Sequence, residues 1–562
     1  MSQHELTHIA KAASEPLHHH PPSPPTIPTY NEPPSSHASE APSPTTISPK
    51  KLYLIIGSLY LGTFLVALDT TIINTALPAI TTDFHALDDL AWYGSAYLLA
   101  LTALQPTFGK LYKVFGIKML YLASIALFEV GSIVCATAPS SLIFIIGRAV
   151  AGCGAAGLMQ GAFAIVVKTV PLSRRPFYFG IFVSAFGVSI GVGPVLGGFF
   201  ADRGMWRWCF WINLPLGIIV FLLVAMFLKL RKTDRSKVYT SCSTRQFLHQ
   251  LDLGGSVLLI GSMCCLFTAM QIGGQGLPWT SPKIIGLFTG FGVLLALFLL
   301  VEWRMGEDAS IPFVILRQRS IAFGVIYLLL SAMPNFSYSV YIPMYFQAAR
   351  GFSAQRSGAE LLFLALTQIL VVVVVGGIVS RVGYYTPFII VGTALSVVGS
   401  GLIISLNLSA THVAWASYFV ICGLGTGIAI NLPYTAVSTV LKEEDMVTGN
   451  ALLQFTFQLG GALSLCISQT LFVDKLISER RSQLLDTSAK VIVVTGVSDL
   501  PGLASSSKDG YLLRSSYQSA VREVFIFLLV ANGLAFLASF GFEHKNVRKV
   551  QAESKEEVDI VV

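Results

Sequence analysis

From Lys51 onward one pattern recurs: a long apolar run, a short polar stretch, then another run. A helix needs about 20 apolar residues to cross the hydrocarbon of a bilayer. Runs of that length lie near 52–74, 90–109, 118–137, 141–167, 177–200, 208–229, 253–272, 283–302, 320–346, 358–380, 386–406, 412–437, 449–472 and 522–542, fourteen in all. Lipid offers no partner to a free backbone N–H or C=O, so segments of this kind must be helical. The expectation is an all-α polytopic membrane protein. The charge content agrees: 12% of residues are charged and 53% are hydrophobic, whereas a soluble chain carries about 25% charged residues.

The basic residues lie between the runs and not on one clustered face. The net charge of +7 therefore reads as membrane topology, and no nucleic-acid partner is expected. With the N-terminus placed in the cytoplasm, Lys110, Lys113, Lys118, Lys168, Arg174, Arg175 and the dense set from Lys229 to Arg245 all fall inside. The short outside loops hold only Arg203, Arg207, Lys283, Arg350 and Arg356. This asymmetry puts both termini in the cytoplasm and requires an even number of spans. Asn407-Leu408-Ser409 then lies outside as a glycan acceptor.

The chain divides into five parts. Residues 1–50 are rich in Pro, Ser, Thr and His and read as a disordered cytoplasmic tail, with no apolar core near Met1 to make a signal peptide. Residues 51–230 hold the first six spans, and 231–310 a basic cytoplasmic linker with two inserted spans. Residues 311–542 hold the last six, interrupted by a polar outside loop at 473–521, and 543–562 form a cytoplasmic tail. A weak repeat marks the two six-span parts. Gly109 to Gly116 follows the second run and Gly376 to Gly383 follows the tenth, each a Gly, six residues and a Gly. Repeated halves around a central site are a common transporter plan.

Three literal motif matches do not fit their context. His4-Glu-Leu-Thr-His8 matches a zinc-protease pattern but sits in the polar tail, where no rigid helix presents both His. Gly152 to Gly157 matches a dinucleotide fingerprint but lies inside an apolar run with no preceding strand. Gly187 to Gly191 around Ser189 matches a nucleophile elbow, yet no sheet is expected and no His is near. Gly-x-x-x-x-Gly-Lys-Ser/Thr is absent, so no nucleotide is expected as a partner. The eight Cys show no regular spacing and imply neither a disulfide framework nor a metal site. No cofactor is expected. The same glycines read better as helix contacts: Gly187 and Gly191, then Gly193 and Gly197, are four apart, a spacing that lets backbones approach closely in lipid.

An ionisable group within a span is expensive and marks a functional site by default. Asp69 lies in the first run, Glu129 deep in the third and Arg148 in the fourth. A carboxylate in low dielectric can take up and release a proton near neutral pH, and a nearby Arg controls when it does so. An Asp69–Arg148 relay with Glu129 as a further candidate follows from the residue types.

Here the residues resemble a family. Leu68-Asp69-Thr70-Thr71 through Asn74 to Pro78, Gly109-Lys110-Leu111 through Gly116 and Lys118, and Arg148 with Gly152 and Gly154 resemble motifs of the major facilitator superfamily. Gly187, Gly191, Gly193-Pro194 and Gly197-Gly198 resemble its fifth-span antiporter motif, and Trp206 to Gly217 continues the likeness. Within the superfamily the chain looks most like fourteen-span drug:proton antiporters, in particular fungal toxin and multidrug exporters. The resemblance implies a 6+2+6 bundle and proton-driven export of a small amphipathic molecule by alternating access. It marks Arg148 as the essential Arg of the fourth span, and places Gly109, Lys110, Gly116 and Lys118 in a cytoplasmic gating loop. One departure stands out: Lys113 occupies the position where the family loop has an Asp that helps lock the cytoplasmic side. The gate must then use other contacts.

A cavity between the two halves is expected to take the substrate. Gln454 and Gln458 share a helix face, Asn335 and Tyr338 follow Pro334, and Gln105 lies on the face of Tyr97. These are the candidate substrate contacts, and inter-helix hydrogen bonding is the competing role for each. Uptake of a small cation or metal chelate is the rival within transport, and a membrane-embedded receptor or enzyme the rival from another class. The location is a plasma membrane or, alternatively, a vacuolar one.

Overall fold

A computed structural model describes residues 48–86, 89–228, 252–274, 278–306, 309–483 and 507–553. The His4–His8 motif, Cys242, most of the basic linker, residues 484–506 and the last nine residues fall outside them. Among the described residues, fourteen long helical segments follow one another. They are α1 (Pro49–Phe84), α2 (Leu90–Val114), α3 (Ile117–Thr137), α4 (Ser141–Thr169), α5 (Arg175–Asp202), α6 (Trp208–Phe227), α7 (Leu253–Gly274) and α8 (Pro282–Met305). They continue with α9 (Arg319–Met344), α10 (Ala354–Val382), α11 (Thr386–Ile404), α12 (His412–Val440, interrupted at Ile430–Asn431), α13 (Glu443–Gln483) and α14 (Ser507–Ser539). No strand occurs among the described residues, only one isolated bridge between Tyr384 and Asn546.

Proline and turn residues set many helix ends. Pro49, Pro176, Pro282, Pro387 and Pro433 stand in first turns, where a missing N–H costs nothing. Gly383 ends α10 at φ 88°, a left-handed conformation that glycine adopts without strain. Among the described residues, thirteen helices are long and apolar enough to cross a membrane. The remaining one is α2, whose 25 residues include Tyr93, Ser95, Tyr97, Thr102, Gln105 and Thr107, which dilute its apolar run.

Two helices run further than the sequence predicts. The polar stretch 473–521 reads as a loop, yet α13 continues to Gln483 and α14 begins at Ser507. Polarity there marks the edge of the apolar run and not the end of the helix. Beyond that edge the two helices still hold each other: Phe472, Leu476 and Tyr517 are buried, and the Phe472 and Tyr517 rings lie 5.8 Å apart. A Lys475–Glu479 pair at 3.3 Å supports α13 along its surface.

Helices α1–α6 pack on one another, and so do α9–α14. Two seams join these halves, α5 on α10 and α2 on α13. Each seam pairs the second helix of one half with the fifth of the other, as the repeat implies. The first glycine of each repeat sits in a seam. A Cβ on Gly109 would lie 2.5 Å from Cβ of Ala451 in α13, and one on Gly376 would lie 2.6 Å from the Pro176 carbonyl in α5. The inserted pair α7–α8 lies beside the α2–α13 seam, with Leu259, Met263 and Phe267 packed near Ala103 and Phe455.

Candidate functional site

Asp69 of α1 and Arg148 of α4 meet in the centre of the first half. Arg148 Nη1 donates to Asp69 Oδ2 at 2.5 Å, and both side chains are fully buried. The guanidinium is held at three points. Its Nε donates to the Tyr93 carbonyl at 2.9 Å, and its carbon lies 4.4 Å above the Tyr97 ring. A buried pair of this kind persists only where further hydrogen bonds compensate the loss of water. Asp69 Oδ1 receives such a bond from Asn213 Nδ2 at 3.3 Å, and the same amide lies 3.3 Å from Ser132 Oγ.

Glu129 stands one turn before Ser132 on α3, beside the Asn213 amide that reaches Asp69. Neither of its oxygens has a hydrogen-bond partner among the described residues. It faces Gly217 of α6, where any Cβ would collide with Oε1. Sequence reasoning brought Asp69, Arg148 and Glu129 forward, and the structure gathers all three. It missed Asn213, Ser132 and Tyr97 as members of the site. An Asn inside an apolar helix was the available signal for Asn213.

The glycines of α5 explain how α1 is held beside this site. A Cβ on Gly193 would lie 2.2 Å from Thr71 Oγ1, and one on Gly197 would lie 2.2 Å from the Ile72 carbonyl. Close approach lets Thr71 and Ser189 hydroxyls meet at 2.7 Å, two residues from Asp69. Gly187 instead faces the other half, where a Cβ would lie 2.1 Å from Ile369 Cγ1, and Gly191 leaves 3.3 Å to Leu362. Gly198 faces open space, and Pro194 lies inside the helix. One motif thus serves both the α1 contact and the seam with α10.

The gating-loop candidates lie at the end of the bundle where Lys113, Lys168 and Arg175 cluster. Gly109 touches α13, Lys110 is buried, Gly116 has open space and Lys118 Nζ caps α6 by donating to the Ala225 carbonyl at 2.5 Å. Lys113 pairs with Asp445 at 2.7 Å, and Lys168 with Glu443 at 2.5 Å. Both acids stand in the first turn of α13, and both lysines in the last turns of α2 and α4. Gln160 Nε2 also donates to the Val447 carbonyl at 2.7 Å, and Asn431 Nδ2 to the Pro176 carbonyl at 3.3 Å. These contacts hold the two halves together at that end.

The family model of the Major Facilitator Superfamily matches residues 59–465. The chain belongs to the Major Facilitator Superfamily. Two relatives span most of its length. It is 38% identical to the MFS-type transporter astH of Aspergillus oryzae, over 87% of this chain and 85% of that one. It is 40% identical to an aspyridones efflux protein of Neocamarosporium betae, over 77% of each. Among solved structures, the human organic anion transporter MFSD10 matches with a TM-score of 0.56 at 15% identity, over 88% of this chain and all of that one, and shares the fold. The chain is accordingly an integral membrane transporter of the superfamily.

Within this superfamily fold the cavity candidates separate. Gln105 lies one turn before Gly109 on α2, and Gln454 one turn after Ala451 on α13. Since Gly109 and Ala451 touch, both amides reach the seam at the same depth. Gln105 is fully buried with neither amide atom partnered among the described residues, and Gln454 Oε1 is likewise unpartnered. Gln458 is buried one turn further along α13, and Asn335 is half-buried on α9. Tyr338 packs within the second half, its ring 5.9 Å from Phe525 of α14. Asn407 is exposed after α11, with its side-chain carbonyl accepting from the Ser409 backbone at 3.0 Å.

Proposed function

We propose that this protein exports a small amphipathic molecule, such as a toxin, drug or secondary metabolite, in exchange for protons by alternating access. The observation that carries the reading is the fully buried Arg148–Asp69 pair at 2.5 Å. An ion pair removed from water is a poor stabiliser, because desolvation offsets most of the attraction. Its persistence in a transporter core fits a working role. Protonation of Asp69 releases Arg148 from its counter-charge and frees α1 relative to α4, and deprotonation restores the pair. Glu129 is a second proton acceptor beside it. The name of the aspyridones efflux relative supports the outward direction, as does the glycine-proline pattern of α5.

On this reading α2 completes fourteen spans, both termini are cytoplasmic, and the end bearing Lys113 and Lys168 is the cytoplasmic gate, closed here. The substrate binds between the halves against Gln105, Gln454, Gln458 and Asn335, where the buried, unpartnered amide of Gln105 and Oε1 of Gln454 offer hydrogen bonds to a polar group on an otherwise apolar guest. Tyr338 acts through packing of α9 on α14. Lys110, Gly109, Gly116 and Lys118 shape the gating turn. The plasma membrane is the favoured location and the vacuolar membrane the alternative, with Asn407 as the glycan acceptor on the outer face.

The test is transport into sealed vesicles under an imposed pH gradient, with candidate compounds chosen by their accumulation in a deletion strain. Wild type is expected to concentrate substrate against its gradient, and Asp69→Asn to lose that ability while still exchanging substrate down its gradient. If Asp69→Asn still concentrated substrate, the coupling role would be wrong. Net flux into cells expressing the protein would favour uptake instead.

A further inference from the structure

A second buried acid pair lies outside the Asp69 site. Asp252 stands just before α7 and Glu302 in the last turn of α8, 3% and 1% exposed. The Asp252 backbone is left-handed, at φ 47°, and its carboxylate is fully engaged. Oδ1 accepts from the Gly255 N–H at 3.0 Å, while Oδ2 accepts from the Ser310 hydroxyl at 2.7 Å and its N–H at 3.3 Å. Glu302 Oε2 accepts from the Ile311 N–H at 2.9 Å. Oε1 is buried with no donor among the described residues. Ser310 and Ile311 are consecutive, so the two carboxyl groups that accept from their N–H groups lie side by side.

Two carboxylates in contact in low dielectric cannot both stay ionised. One proton between them supplies the donor that Oε1 lacks and removes one of two negative charges. Lys110 is buried on α2 one turn beyond Thr107, whose hydroxyl bonds Ser256 one turn into α7 from Asp252, so it stands beside the pair. Arg304, two residues along α8, is exposed.

We propose that Asp252 and Glu302 form a second proton-binding site, which holds one proton at the foot of the inserted helix pair and is read by Lys110 of the gating loop. Lys110 follows Gly109, the residue in contact with Ala451 across the α2–α13 seam. The same face of α2 is tied to α7 by Thr107 and Ser256 at 3.0 Å. Loss of the proton leaves two negative charges beside Lys110 and draws that end of α2 toward the inserted pair. Gain of the proton relaxes that pull. The inserted pair thereby gives the seam a pH input separate from Asp69.

Infrared difference spectroscopy of the full-length protein in lipid, titrated across neutral pH, tests this. Protonated carboxyls absorb at higher frequency than carboxylates. Wild type is expected to show a protonated-carboxyl band that Glu302→Gln and Asp252→Asn each remove, and that Asp69→Asn and Glu129→Gln leave in place. The Gln amide can donate to Asp252 as the proton would, so Glu302→Gln is expected to fold. Lys110→Met is the second arm: without the cation the proton is held more tightly, and the band is expected to survive to higher pH. A band that persists in both pair variants, or a Lys110→Met titration identical to wild type, would overturn the proposal. Because Asp69→Asn is tested for the same band, failure of this site is distinguishable from failure of the coupling role of Asp69.

Discussion

At the scale of single residues, the geometry around Arg148 makes a demand that charge alone does not meet. The guanidinium donates to Asp69 through one nitrogen and to the Tyr93 carbonyl through another while its plane rests over Tyr97. A lysine keeps the charge but has neither the fork nor the flat face. Arg148→Lys should leave the Tyr93 carbonyl without its charged donor, a loss of about 1.5–3 kcal/mol for a hydrogen bond of that type. The expected outcome is a folded protein with a lower unfolding temperature in detergent and at least a tenfold loss of proton-driven transport. An Arg148→Lys variant with wild-type rates would show that only the charge matters. The ionisable trio was legible in the sequence because each member interrupts an apolar run. Asn213 and Ser132 were not, since uncharged polar residues are common between membrane helices and only their distance to Asp69 singles them out.

At the scale of helices, most elements could be read directly, because the length of an apolar run fixes a span. What the runs hide is where a helix continues into water. The extension of α13 to Gln483 depends on Phe472, Leu476 and Tyr517 closing on one another, contacts between segments that hydropathy does not record. The α5 glycines show the same limit: spacing identified a packing face but not which partner each glycine meets. That difference can be measured at two adjacent positions. Gly197→Ala would place a methyl 2.2 Å from the Ile72 carbonyl, whereas Gly198→Ala meets nothing within 4 Å. Overpacking of this kind costs about 1–3 kcal/mol. Gly197→Ala is expected to lower thermal stability and transport by pushing α5 off α1 beside Asp69, and Gly198→Ala to match wild type in both. Equal effects at the two sites would mean that α1 and α5 do not approach as described.

At the scale of the whole bundle, alternating access requires the two halves to part at the end where Lys113 and Lys168 meet Asp445 and Glu443. Lys113 departs from the family loop, and its partner could not be found from the sequence because it lies 332 positions away. The sign of the pair nevertheless has a local cause. A helix C-terminus favours cations and an N-terminus favours anions, by about 0.3–1 kcal/mol each. Lys113 ends α2 and Asp445 begins α13, so this arrangement satisfies both helix dipoles as well as the pair. Both side chains are partly exposed, which limits the pair itself to roughly 0.2–1 kcal/mol. In the proposed cycle, that is enough to bias a gate that opens at every turn without locking it. Asp445→Lys should therefore place like charges across the seam and raise thiol labelling of a cysteine introduced at Val447, which the closed end buries. Combining it with Lys113→Asp restores the attraction but sets both charges against their helix dipoles. The double swap is expected to recover only part of the protection from labelling, with transport between the single variant and wild type. Complete recovery would mean that the dipoles contribute nothing, and no change in the single variant would mean that the halves are held at this end by Gln160, Asn431 and the apolar seam alone.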